Sequence, residues 1–154
     1  MGASVRAAGE GLERIRKLAA ELKAKPAVRV GVLGDGGNND ELTNAELAAI
    51  HEYGAPRANI PERSFLRATA DAKRQEWLAL MERGLRLAVA GRLSVKASLS
   101  LVGEQAVADI RTRIRSHIPP PLQPATVARK GSSVPLVDTS RLLMSIAYEV
   151  KEGA

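Results

Sequence analysis

The chain has 154 residues, 45% of them hydrophobic, which suits one domain that hides roughly 70% of its unfolded surface. It has no cysteine, and its only histidines are His51 and His117, so disulfides, thiolate chemistry and a three-histidine zinc site within one chain are excluded. The net charge of +6 favours polyanionic partners, but the charged residues are spread from Arg6 to Lys151 in the manner of a solvated surface.

Only Tyr53, Phe65, Trp77 and Tyr148 are aromatic, so the core has to be aliphatic. No apolar run approaches the ~20 residues that span a bilayer, and Met1 to Arg16 lacks the apolar stretch of a secretion signal. The expectation is a soluble protein made inside the cell.

From Gly11 to Lys25, Leu12, Ile15, Leu18, Ala19 and Leu22 recur at helical spacing, with charged residues on the other face, and Pro26 stops the pattern. The N-terminal helical unit is thus placed within residues 1–26. Ala27 to Leu33 alternates Val28, Val30 and Val32 with Arg29 and Gly31, which reads as a strand with one buried face. Residues 34–42, rich in Gly, Asn and Asp, read as a long loop.

Thr43 starts a short helix with Glu46 three residues on as a capping box, and Gly54 ends it. Ala55 to Pro61, with its two prolines, reads as extended or looped chain. A long helix is expected from Ser64 to Ala90, with Leu66, Ala70, Trp77, Met81, Leu85 and Ala88 on one side and Gly91 as terminator. A second runs from Ser94 to His117, with Leu99, Val102, Ala106, Ile110 and Ile114 on one stripe. Ile118-Pro-Pro-Pro121 ends it.

Residues 119–135 form a second long loop, with one helical turn allowed after Pro124. Thr139 to Met144 reads as a short helix. Ile146, Tyr148 and Val150 then alternate with polar neighbours in a closing strand. The class is α+β: two long amphipathic helices plus short helices packed on a small, mostly antiparallel sheet that pairs the first and last strands, in a single domain.

Several motifs imitate chemistry. Leu136-Val-Asp-Thr-Ser140 resembles the aspartic protease signature, but only 16 residues follow Asp138, too few for that fold's flap and second core strand. Asp138 and Thr139 instead precede a helical pattern and suit a helix cap. The glycines at 31, 34, 36 and 37 match neither dinucleotide-binding nor P-loop spacing. His51 and Glu52 point about 100° apart on a helix and do not converge on a metal ion.

Arg111, Arg113 and Arg115 are the densest basic run, yet four aromatics in the whole chain make a poor base-stacking platform. No nucleophile, base and oxyanion set assembles, so no enzymatic activity, cofactor, metal or small-molecule substrate is expected.

Two segments carry a resemblance. The first is Ala45-Glu-Leu-Ala-Ala-Ile-His-Glu-Tyr-Gly54 followed by Ile60-Pro-Glu-Arg-Ser-Phe-Leu-Arg67. The second is Pro124-Ala-Thr-Val-Ala-Arg-Lys-Gly131 followed by Pro135-Leu-Val-Asp-Thr-Ser-Arg-Leu-Leu-Met-Ser-Ile146. Together, in this order and spacing, they resemble the small neck and tail-completion proteins of tailed bacteriophages, including the virion morphogenesis proteins of Mu-like phages. The chain departs from that pattern in having Ser140 where glycine is usual and Leu143 where a polar residue is common.

The resemblance implies a structural virion protein, made in the bacterial host cytoplasm and acting at the head–tail junction. Its copies would form a ring, six being the expected number, against other neck and tail proteins, with double-stranded DNA passing through the lumen and no membrane partner. Phe65 and Leu66 would anchor the proline-led turn into the long helix, Arg63 and Arg67 would pair with acidic neighbours or phosphates, and Asp138 and Thr139 would cap the last short helix. The alternative from another class is a non-specific nucleic-acid-binding protein driven by its positive charge.

Overall fold

A computed structural model describes residues 2–33, 42–121, 124, 128 and 141–152. In chain order these form α1 (Gly2–Lys23), β1 (Ala27–Val32), α2 (Asn44–Tyr53), a 3₁₀ turn (Pro56–Ala58), α3 (Arg67–Val89), α4 (Val95–Arg115), α5 (Arg141–Ser145) and β2 (Ile146–Lys151). The fold is α+β. The loop expected over residues 34–42 is described only at Leu42, and that over 119–135 only at 119–121, 124 and 128; the remainder, with Asp138 and Thr139, lies outside the described residues.

The two strands pair antiparallel, Val28 opposite Val150, Val30 opposite Tyr148 and Val32 opposite Ile146. Alternation puts Val28, Val30 and Val32 on the packed face and leaves Arg29 outside, where its guanidinium meets Glu149 across the ladder at 3.2 Å. A two-stranded ribbon needs a helix to cover its apolar face. That helix is α4, whose Gly103 sits directly beneath the Tyr148 ring; a methyl at this position would overlap the ring.

Helices α3 and α4 form an antiparallel hairpin turned at Gly91, which has φ of +71°. Their backbones approach closely at Gly84, where a Cβ would lie 2.8 Å from Cβ of Ser98. Farther along the seam the Trp77 indole N–H donates to Asp109 at 2.7 Å, and Gln105 donates to the same carboxylate at 3.1 Å.

The sequence stripe of α4 is buried throughout, at Leu99, Val102, Ala106, Ile110 and Ile114. It links two apolar clusters. One gathers Ala48, Phe65, Val107, Ile110, Ile114, Ile118, Leu142 and Ile146; the other gathers Ala88, Val95 and Leu99 with Leu18, Met81 and Val150 against them.

Helix α1 starts at Gly2, inside the 1–26 span expected of the N-terminal helix and ahead of the periodic stretch that begins at Gly11. Its periodicity marks an amphipathic helix, and among its described side chains Leu18 packs on the core, while Leu12 is 50%, Ile15 63% and Leu22 46% exposed. In addition, α3 begins at Arg67, three residues later than the pattern suggested, because Ser64 to Leu66 form a turn held from outside the helix.

Candidate functional site

The first four N–H groups of a helix have no partner inside it, and a Ser, Thr, Asp or Asn just before the helix ordinarily meets one of them. Helix α2 follows that rule. Thr43 accepts from the Glu46 N–H at 3.2 Å, and the Glu46 carboxylate accepts from the Thr43 N–H at 2.9 Å. Those contacts hold the Glu46 carboxyl below its usual range. Helix α3 does not follow it: the residue before it is Leu66, and its first turn holds no acid.

The Ser64 hydroxyl accepts the Ala68 N–H at 3.2 Å, and the other acceptor comes from Glu52, at the end of α2. Its carboxylate receives the Phe65 N–H at 2.9 Å, the Leu66 N–H at 2.8 Å, the Arg67 N–H at 3.0 Å and the Ser64 hydroxyl at 2.7 Å. The Arg67 Nε adds a fifth donor at 3.0 Å. Five donors saturate the roughly four lone-pair directions of a carboxylate, so Glu52 has no capacity left for a metal ion or a proton-transfer partner. Its negative charge also sits at the positive end of the α3 dipole. Burial pushes the Glu52 carboxyl up, but the hydrogen bonds from Leu66, Ser64, Arg67 and Phe65 together outweigh it and hold the pKa below the usual value.

Reaching residues 64–67 from α2 requires a sharp reversal, and Gly54 supplies it. Its φ is +75°, and a Cβ there would lie 2.8 Å from the Glu62 backbone nitrogen, so both conformation and space call for glycine. The loop is pinned by the Ala55–Ile60 bridge and by the Arg63 N–H donating to the His51 carbonyl at 2.8 Å.

The four described candidates converge on this clasp. Phe65 is fully buried in the first apolar cluster, and Leu66 packs half-buried against it. Arg67 lies on the surface, where it pairs with Glu52 at 3.0 Å and Glu62 at 2.8 Å and stacks 4.6 Å from the Tyr53 ring centroid. The Glu52 contact raises its pKa.

Arg63 is buried, not set against the surface. Its Nε and Nη2 donate to the Pro120 carbonyl at 3.2 and 2.7 Å, which ties the clasp to the segment after α4, where the Pro119–Pro120 peptide is cis. Burial lowers its pKa.

The basic run on α4 divides as well. Arg111 donates to the carbonyls of Leu143 and Ile146 at 3.2 and 2.9 Å and so braces the α5–β2 junction, while Arg113 and Arg115 are exposed. Among the described residues, no group of three or more His, Asp or Glu side chains is placed to hold a metal ion, and no helix is long and apolar enough to cross a membrane.

Sequence reasoning weighed Glu52 only with its neighbour His51 and did not connect it to α3. The available signal was a long helix with no acid in its first turn, fifteen residues after a glutamate near the end of the preceding helix. The chain matches no protein-family model, no curated protein and no solved structure.

Proposed function

We propose that this chain is a structural virion protein of a tailed bacteriophage, a ring-forming neck or tail-completion component at the head–tail junction through which DNA passes. The observation that carries the reading is the paired resemblance of residues 45–67 and 124–146 to such proteins. The clasp supports it by giving the first segment a physical reason. Its Glu52, Gly54, Ser64, Phe65 and Arg67 are the acceptor, the reversal, the hydroxyl donor, the buried anchor and the exposed cation, all parts of one unit. The string "HEYG … IPERSFLR" is therefore a folding device, and sharing it points to sharing the local structure built on it.

The mechanism is assembly rather than chemistry. Copies meet through unlike surfaces, head to tail, in contacts that close into a ring. Exposed arginines, Arg113 and Arg115 among them, are available to face the phosphates of DNA in the lumen.

Electron microscopy of a lysate from the encoding phage with a stop codon at Trp77 tests this. Filled heads beside separate tails, or abnormal tail ends, support the assignment. Normal infectious particles overturn it and bring forward the alternative favoured by the charge of +6, non-specific nucleic-acid binding that weakens steeply as salt rises.

A further inference from the structure

Helix α1 is joined to the body of the protein by a hinge of three residues, Ala24, Lys25 and Pro26, between its end at Lys23 and the start of β1 at Ala27. Lys25 folds back with φ of +46°, its N–H donating to the Leu22 carbonyl at 2.9 Å. That left-handed conformation suits glycine rather than lysine, and a residue before proline prefers extended backbone. The closed hinge therefore holds strain that an extended hinge would release.

The seat of this arm is also loose. Among the described residues it consists of Leu18 against the cluster of Ala88, Val95 and Leu99, Arg14 beside Gly91, and the Glu21 carboxylate on the Val95 N–H at 3.1 Å. Beneath the hinge a cleft of about 630 Å³ opens between Ala20, Ala24 and Pro26 on one side and Lys96 and Val150 on the other. Dispersion contact is missing there, where the arm leaves the body. Lifting α1 away breaks few contacts, but it bares Leu18 and leaves the Val95 N–H without its acceptor. The α1 of a second copy, identical in sequence, restores both in the same cradle.

We propose that α1 is an exchangeable arm that seats in the cradle of a second copy of this chain, with its hinge extended. This rests on the ring reading and identifies one of its subunit contacts. Exchange keeps the docking contacts of the closed chain and changes the hinge, and a short hinge under strain favours that outcome. Three extended residues reach about 10 Å, which sets how near the two copies lie. Each copy gives its arm to one neighbour and receives the arm of another, so the exchange runs head to tail until it closes.

The chain has no cysteine, which makes a site-specific cross-link clean. Arg14 lies against Gly91, and the exposed Arg92 is the next residue. Full-length Arg14→Cys and Arg92→Cys proteins are purified separately, mixed, incubated to allow exchange and treated with a short bis-maleimide. The 14–92 product between chains should exceed the 14–14 and 92–92 products several-fold. Adding Lys25→Gly to the Arg14→Cys protein should cut the 14–92 product several-fold, because glycine relaxes the closed hinge. A 14–92 yield no greater than the other two overturns the exchange, and so does one that Lys25→Gly leaves unchanged. The doubly substituted Arg14→Cys, Arg92→Cys protein separates this failure from that of the ring reading. If it links only within its own chain yet sediments as an oligomer, the exchange is overturned and the ring reading stands. If it links only within its own chain and sediments as a monomer, the exchange is overturned and the result counts against the ring as well.

Discussion

Glu52 concentrates more of the local order than any other described side chain. A buried acceptor that serves three backbone N–H groups, a hydroxyl and a guanidinium cannot be replaced by an amide, because the NH₂ of glutamine would face donors. Glu52→Gln should cost about 3 kcal/mol of stability, read from the urea midpoint at unchanged slope. A loss below about 0.5 kcal/mol would contradict the clasp. The pH dependence follows from the direction of the shift. The folded pKa of Glu52 lies below the unfolded value of about 4.3, so the stabilisation is fully present above that value and is lost as pH falls through the folded pKa. The parent should therefore lose stability in acid more steeply than Glu52→Gln, compared by thermal melts between pH 3 and pH 6. Thr43→Ala removes a more ordinary cap and should cost about 1 kcal/mol.

At the scale of elements, the close approaches decide which helix faces meet. Alanine is ordinarily a better helix former than glycine by about 1 kcal/mol. At Gly103 the added methyl would overlap the Tyr148 ring, and the ring cannot simply swing aside because Cβ of Tyr148 is itself only 3.0 Å from the new atom. Gly103→Ala should thus be net destabilising by about 2 kcal/mol through overpacking of α4 against β2. Pairing it with Tyr148→Ala should recover most of that loss in a double-mutant cycle. Trp77 is the only tryptophan, and its indole bridges α3 to Asp109 of α4, so its fluorescence should report separation of that hairpin. The α1 helix behaves differently, since its described contacts with the rest of the chain are sparse: Leu18 in the second cluster, Arg14 beside Gly91 and the Glu21 carboxylate, which accepts the Val95 N–H at 3.1 Å.

For the whole molecule, that unequal distribution of contacts predicts unequal protection. Helix α4 belongs to both apolar clusters and covers the sheet, so its amides should exchange with solvent only through global unfolding. The N-terminal turns of α1, beyond Leu18 and beside the exposed Leu12 and Ile15, should exchange fastest among the described helices. Hydrogen exchange followed by mass spectrometry checks this, and equal protection of α1 and α4 in the monomer would refute it.

The sequence by itself determined what depends on neighbours within a few residues. The capping box at Thr43 and Glu46, the valine alternation of β1, the buried stripe of α4 and the α+β class were all readable, because helix and strand periodicities place nearby residues on a common face. Only the tertiary structure decided what depends on distant parts meeting. Glu52 caps a helix that begins fifteen residues later, Gly103 leaves room for a ring forty-five residues away, and Arg63 holds a carbonyl at Pro120. The face of α1 shows the boundary between the two. Its periodicity proves that an apolar stripe exists, but whether that stripe is covered depends on how the rest of the chain is packed in space, and here Leu12, Ile15 and Leu22 are left to the outside.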